Sequence, residues 1–180
     1  IFEFHKTRES IDKHWGNKSY NWVVGFHKEN TTEIHLIHPH NYEELSVHKF
    51  SAEGFANLLK HEITHLFIGL KYQKYPYLFN EGLALYVSNF YLKDKVLQKV
   101  KERNILPEFE SLFFFENDYL AASFFSMFLV YLDGKYRAEK VNIFVNQLDH
   151  SDYKQVFKDN YECNFDEEYE FNFLKWLLQQ

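Results

Sequence analysis

The sequence predicts an α+β chain: a small N-terminal β-sheet over a central helix, followed by a mostly helical C-terminal lobe. Three observations predict it. Short β-branched stretches are confined to the first forty residues. From about Tyr42 onward, apolar residues recur at helical spacing. Only 6 Gly and 3 Pro occur in 180 residues, so breaks are few and elements long. That length fits one domain over 1–180, divided into sheet plus central helix (1–79) and helical lobe (80–180).

The elements follow in order. Ile1–Trp15 reads as a short strand running into a helix. Trp22–Phe26 and Thr32–His38 read as two strands separated by the polar residues 27–31. The second alternates imperfectly but holds enough β-branched residues to favour a strand, and Pro39 ends it. Phe55, Leu58, Leu59, Ile63, Leu66, Phe67 and Leu70 mark a helix. Near 63–70 its apolar residues almost surround the axis, which predicts a central, buried position. Lys71–Phe79, with Pro76, reads as a loop. Asn80 suits the N-cap of a helix reaching about Asn89. Lys93–Arg103, Asn117–Tyr131, Ala138–Leu148 and Phe171–Leu178 complete the helical lobe.

Composition excludes several classes of function. Aromatic residues make up 20% of the chain, which argues against disorder. The net charge is −6, so there is no basic surplus to hold nucleic acid. No apolar run is long enough to span a bilayer. The lone cysteine, Cys163, rules out an intramolecular disulfide and a Cys-rich zinc module. With no His or basic residue close in sequence, it reads as structural. Low Cys content favours a cytoplasmic setting. The first residue is Ile, which points to removal of an N-terminal piece and leaves a secreted or processed form open.

One motif carries chemistry. Residues 61–65 read His61-Glu62-Ile63-Thr64-His65, within a segment already read as helical. Histidines at i and i+4 share a helical face, so both imidazoles can hold one metal ion. Glu62 lies about a quarter-turn away, within reach of a water on that metal. With 10 His and 18 Glu in the chain, chance alone gives about 0.05 such matches. Two histidines leave a catalytic zinc short of its usual three protein ligands. Glu81, in Asn80-Glu81-Gly82-Leu83-Ala84, is the candidate third. A turn between the two segments lets a second helix fold back beside the first, and Gly82 permits close approach. Glu81 also suits an ordinary acid near a helix start.

His61–His65 followed by Asn80–Ala84 resembles the gluzincin metallopeptidases, most closely the small, aminopeptidase N-like branch called the peptidase MA family, which includes the minigluzincins. Weaker similarities extend from Trp22 to Trp176: the two strands, the segment 119–132 and a C-terminal stretch over 153–176 that fits the family's closing helices. The resemblance implies a gluzincin-like catalytic domain holding one Zn²⁺ per chain through His61, His65 and Glu81. It implies hydrolysis of peptide bonds by a zinc-bound water activated by Glu62. Tyr119 matches the tyrosine that stabilises the oxyanion, although with 13 Tyr in the chain it equally suits packing. Tyr131 and Tyr136 are weaker alternatives. Thermolysin-like relatives carry an acid four residues after the glutamate ligand. Here that position is Leu85.

The expected partner is a peptide or protein, bound along the strand Thr32–His38 by main-chain pairing at an exposed edge. His35, His38 and His40 are expected to be partly exposed on that edge. The segment Gly25–Asn30 matches poorly the element that binds a free N-terminus in large aminopeptidases, so an endopeptidase is favoured. Phe113, Phe114 and Phe115 read as core packing, and 166–170 as a solvated face or helix start. The competing function is a non-catalytic or latent binding module on a peptidase-like scaffold, with self-association as one means of latency.

Overall fold

The computed structural model describes residues 1–72, 75–103, 119–148 and 152–180. The predicted Phe113–Phe115 packing and the predicted start at Asn117 lie outside them. The α+β class holds, and the chain divides into two compact units. The first comprises Ile1–Tyr75 and Val87–Phe90, the second Pro76–Tyr86 and Tyr91–Gln180. Among the described residues no helix is long and apolar enough to cross a membrane.

The first unit is built on three strands, β1 (Phe2–His5), β2 (Gly25–His27) and β3 (Ile34–Ile37), in the order β1-β3-β2. β1 runs parallel to β3, with Glu3 opposite His35. β2 runs antiparallel to it, with Phe26 opposite His35. The strand expected to offer a free edge is therefore the central one. Its backbone groups are used on both sides, which removes the peptide-binding role expected of Thr32–His38. The same pairing buries His35 completely, against the expectation of an exposed residue. Of the segment Gly25–Asn30, Glu29 and Asn30 fall in the loop joining β2 to β3. Asn30 there takes φ 59°, a left-handed conformation that Asn tolerates.

Helices cover both faces of this sheet. α1 (Arg8–Trp15) follows β1, starting at Thr7, whose hydroxyl accepts from Ser10 N–H, and ending at Gly16 with φ 89°. Trp15 meets Phe26 edge-on. The Arg8 guanidinium binds the carbonyls of Val23 at 2.9 Å and Asn21 at 3.3 Å, and that of Leu45. It thereby holds the long β1–β2 connection in place. The other face carries α3 (Ala52–Lys71), reached through a 3₁₀ turn (Pro39–Asn41) and the short α2 (Tyr42–Leu45). Phe4 stacks on Phe55. Gly25 lies against Leu36, the residue opposite it in β3, and Leu58 of α3.

The one helical stretch read over 42–70 is thus two helices. The second starts at Ser51, whose hydroxyl accepts from Gly54 N–H at 3.0 Å. The C-terminal half of α3 also differs from expectation: Phe67 is 66% exposed and Leu70 63%. A three-stranded sheet covers only one side of a helix, so the all-round apolar pattern exceeds what it can bury.

The second unit is helical: α4 (Tyr77–Ser88, of which 77–86 belong here), α5 (Lys93–Arg103), α6 (Tyr119–Tyr136), α7 (Ala138–Gln147), α8 (Tyr153–Tyr161) and α9 (Glu167–Leu177). α6 is its axis, with an almost unbroken run of buried residues from Ala121 to Leu132. It packs on α5, α7 and α9. Phe128 meets Phe157, Phe165 and Phe173. α4 begins three residues before Asn80, the predicted cap. Pro76 sets the start instead: its carbonyl accepts from both Phe79 and Asn80 N–H at 3.0 Å. α9 begins earlier than read, because Asp166 caps it by accepting from Tyr169 N–H at 3.1 Å. Tyr136 Oη lies 3.7 Å from Cys163 Sγ.

Candidate metal centre

α3 carries His61, Glu62 and His65 in its middle turns. Nothing in 52–71 interrupts the helix: there is no proline, and the one β-branched residue with a hydroxyl, Thr64, turns that hydroxyl onto the carbonyl of Lys60 at 2.7 Å. The i, i+4 spacing then acts as the sequence dictates. The Nε2 atoms of His61 and His65 stand 3.0 Å apart. Their rings are nearly perpendicular, with centroids 4.6 Å apart. Ligand atoms on a tetrahedral zinc, with bonds of about 2.0–2.1 Å, lie about 3.3 Å from one another. The pair therefore fits two vertices of a zinc site with a shift of a few tenths of an ångström.

Glu62 is only 4% exposed. A carboxylate held away from water is costly unless something charged or hydrogen-bonding repays it. It sits one residue from the first imidazole, where a metal centre would give it a role.

Glu81 lies in the second turn of α4 rather than the first, because that helix starts at Tyr77. It is partly buried. Behind it, a Cβ on Gly82 would stand 2.5 Å from Phe125 Cδ1 and 3.1 Å from the Ala122 carbonyl oxygen. The glycine thus allows α4 to lie directly on α6 within the second unit. Leu85, four residues after Glu81, is fully buried. Tyr119 opens α6 and is 38% exposed, so its ring is not committed to the core. The weaker alternatives behave differently. Tyr131 is buried against Phe173 and Trp176, and Tyr136 packs on Tyr161.

Within the first unit, sequence reasoning missed another group of side chains that could hold a metal ion: Glu3, His5, His14 and His35. Glu3 and His5 alternate on β1, a visible signal. His14 and His35 join them only through the parallel pairing of β1 with β3 and the position of α1. His38 and His40 remain outside this group, touching one another edge-on.

Comparison with protein-family models, curated proteins and solved structures finds no match to this chain. The resemblance to gluzincins therefore stands on the motif residues themselves.

Proposed function

We propose that this chain is a zinc-dependent metallopeptidase, favouring internal peptide bonds, in which His61, His65 and Glu81 hold the metal. The observation that carries the reading is the convergence of His61 and His65 Nε2, 3.0 Å apart, beside a buried Glu62. A zinc ion at this position supplies Lewis acidity and lowers the pKa of water to near neutrality. Glu62 takes the proton from the attacking water and returns it to the leaving amine. Its burial suits that task, because a carboxyl removed from bulk water exchanges protons with its immediate neighbour. Tyr119 is assigned the donor that meets the oxyanion developing on the scissile carbonyl. Since β3 is paired on both sides, an extended substrate can add only to β1 or β2 of this sheet. β2 is the edge strand that packs closely on α3.

The test is metal content per chain with peptide hydrolysis. Glu62→Gln is expected to keep its zinc and lose about 10²–10⁴-fold in kcat. Loss of the metal instead would make Glu62 structural. Tyr119→Phe is expected to lower kcat about 10²-fold with KM little changed; an unchanged kcat would return Tyr119 to packing. A wild-type protein that binds zinc yet cleaves no peptide would favour the binding-module reading.

A further inference from the structure

The sheet face opposite α3 has its own cluster. Glu3 and His5 project from that face of β1, two residues apart. His35 comes from β3 beside them, and His14 from the last turn of α1. His5 Nε2 is 3.0 Å from His35 Nδ1. Glu3 Oε2 is 3.5 Å from the same Nδ1, and Glu3 Oε1 is 3.6 Å from His14 Nε2. One ligand atom from each of the four residues lies within 4.8 Å of the others. The spacing about a tetrahedral zinc is about 3.3 Å, and the distances of 3.0, 3.5 and 3.6 Å bracket it.

The outward-facing nitrogens strengthen the case. His14 Nδ1 is 2.9 Å from the Ser10 carbonyl oxygen. A carbonyl only accepts, so Nδ1 carries the proton and Nε2 turns its lone pair to the cluster. His35 Nε2 makes no hydrogen bond, although the Glu33 carboxylate lies 3.4 Å away, and its Nδ1 faces His5 within the cluster. His5 Nδ1 is 2.7 Å from Ser10 Oγ, a hydroxyl able to accept its proton. His5 and His14 are thus each oriented from behind by an oxygen of Ser10, the arrangement that fixes metal-ligating histidines. The rings are also close, with the His14 and His35 centroids 4.6 Å apart.

The donor set defines the ligand class. Three imidazoles and a carboxylate suit a borderline divalent cation; magnesium and calcium prefer all-oxygen shells, and copper(I) prefers sulfur. Four protein donors fill a tetrahedron and leave no open position, which is the mark of a structural site. Glu3, 46% exposed at its side chain, leaves a route in from solvent.

We propose that Glu3, His5, His14 and His35 form a second, structural metal site for Zn²⁺ or a similar divalent cation, clamping α1 to β1 and β3. The full chain, stripped by a chelator and titrated with zinc alone, tests it, with stoichiometry and thermal midpoint as readouts. Wild type is expected to bind two zinc ions and His65→Ala one, with the remaining equivalent still raising the midpoint. Adding His14→Ala to His65→Ala is expected to weaken that equivalent at least tenfold. Glu3→Gln, at an exposed side chain, provides the same test should the His14 variant fail to fold. A His65→Ala protein that takes up no zinc overturns the proposal and leaves the α3 site intact. So does undiminished affinity in both double variants. A wild type that binds one zinc, retained in His65→Ala and lost on Glu3→Gln, supports the second site and sinks the peptidase reading.

Discussion

Asp12 illustrates how single side chains fix this chain. Its carboxylate accepts from Ser19 N–H at 2.9 Å and from the Ser19 hydroxyl, tying the end of α1 to the connection that follows. Partial burial works to raise its pKa, but those two hydrogen bonds together with the positive charges of Arg8 and Lys18 outweigh it, and the carboxyl lies below its usual range. A folded-state pKa below the unfolded value adds stability above the unfolded pKa, and that stability is lost as pH falls through the folded value. Asp12→Asn is therefore expected to cost about 1 kcal/mol at pH 7. The cost should shrink toward zero below the ordinary Asp range of about 4; paired denaturant curves at the two pH values check this. At the same scale, His61 and His65 were legible from sequence and His35 was not. The first pair needs only the helical repeat. The environment of His35 depends on strands whose paired residues lie some thirty positions apart, and no local pattern reports that.

At the scale of elements, starts were harder to read than faces. Asn80 has the side chain of a cap, yet α4 starts earlier, at Tyr77, where the Pro76 carbonyl takes the first amide bonds. The shift moves Glu81 from the first turn to the second and keeps it on the same helix. Gly82 is the element's tightest point. Gly82→Ala would drive its methyl carbon into the Phe125 ring, 2.5 Å away, and toward the Ala122 carbonyl. The helix-propensity gain of about 1 kcal/mol is smaller than the cost of overpacking, about 1–3 kcal/mol. Net destabilisation is expected in urea unfolding, and a more stable variant would show that α4 and α6 can separate without penalty. α3 teaches the complementary lesson. Its periodicity identified the helix, but exposure of Phe67 and Leu70 could not be foreseen without knowing how narrow the sheet would be.

At the scale of the molecule, each unit has its own core, and the two cores differ in kind. The first is aliphatic: Ile11, Ile34, Leu36, Ile37 and Leu58 are buried around the sheet, with Tyr42 the one buried aromatic among them. The second is aromatic, with Phe128 at its centre. Phe128 is fully buried and touches rings from α8, α9 and the turn between them. Phe128→Ala is expected to remove about 3–5 kcal/mol, a large share of the stability of a typical domain. The thermal midpoint of the full chain should fall accordingly, and a shift of only a degree or two would mean that the surrounding rings close the gap.

The sequence by itself determined the α+β class, the convergent histidine pair on α3 with Glu62 beside it, and the absence of a membrane-crossing helix among the described residues. All of these rest on composition or on spacings of a few residues, which the helical repeat converts directly into geometry. Only the tertiary structure decided that β3 is the central strand, that α3 leaves apolar residues in solvent, and that Glu3, His5, His14 and His35 share one point. Those outcomes depend on which strand pairs with which. Strand pairing is selected by burial over the whole unit, so distant residues meet without any local mark in the sequence.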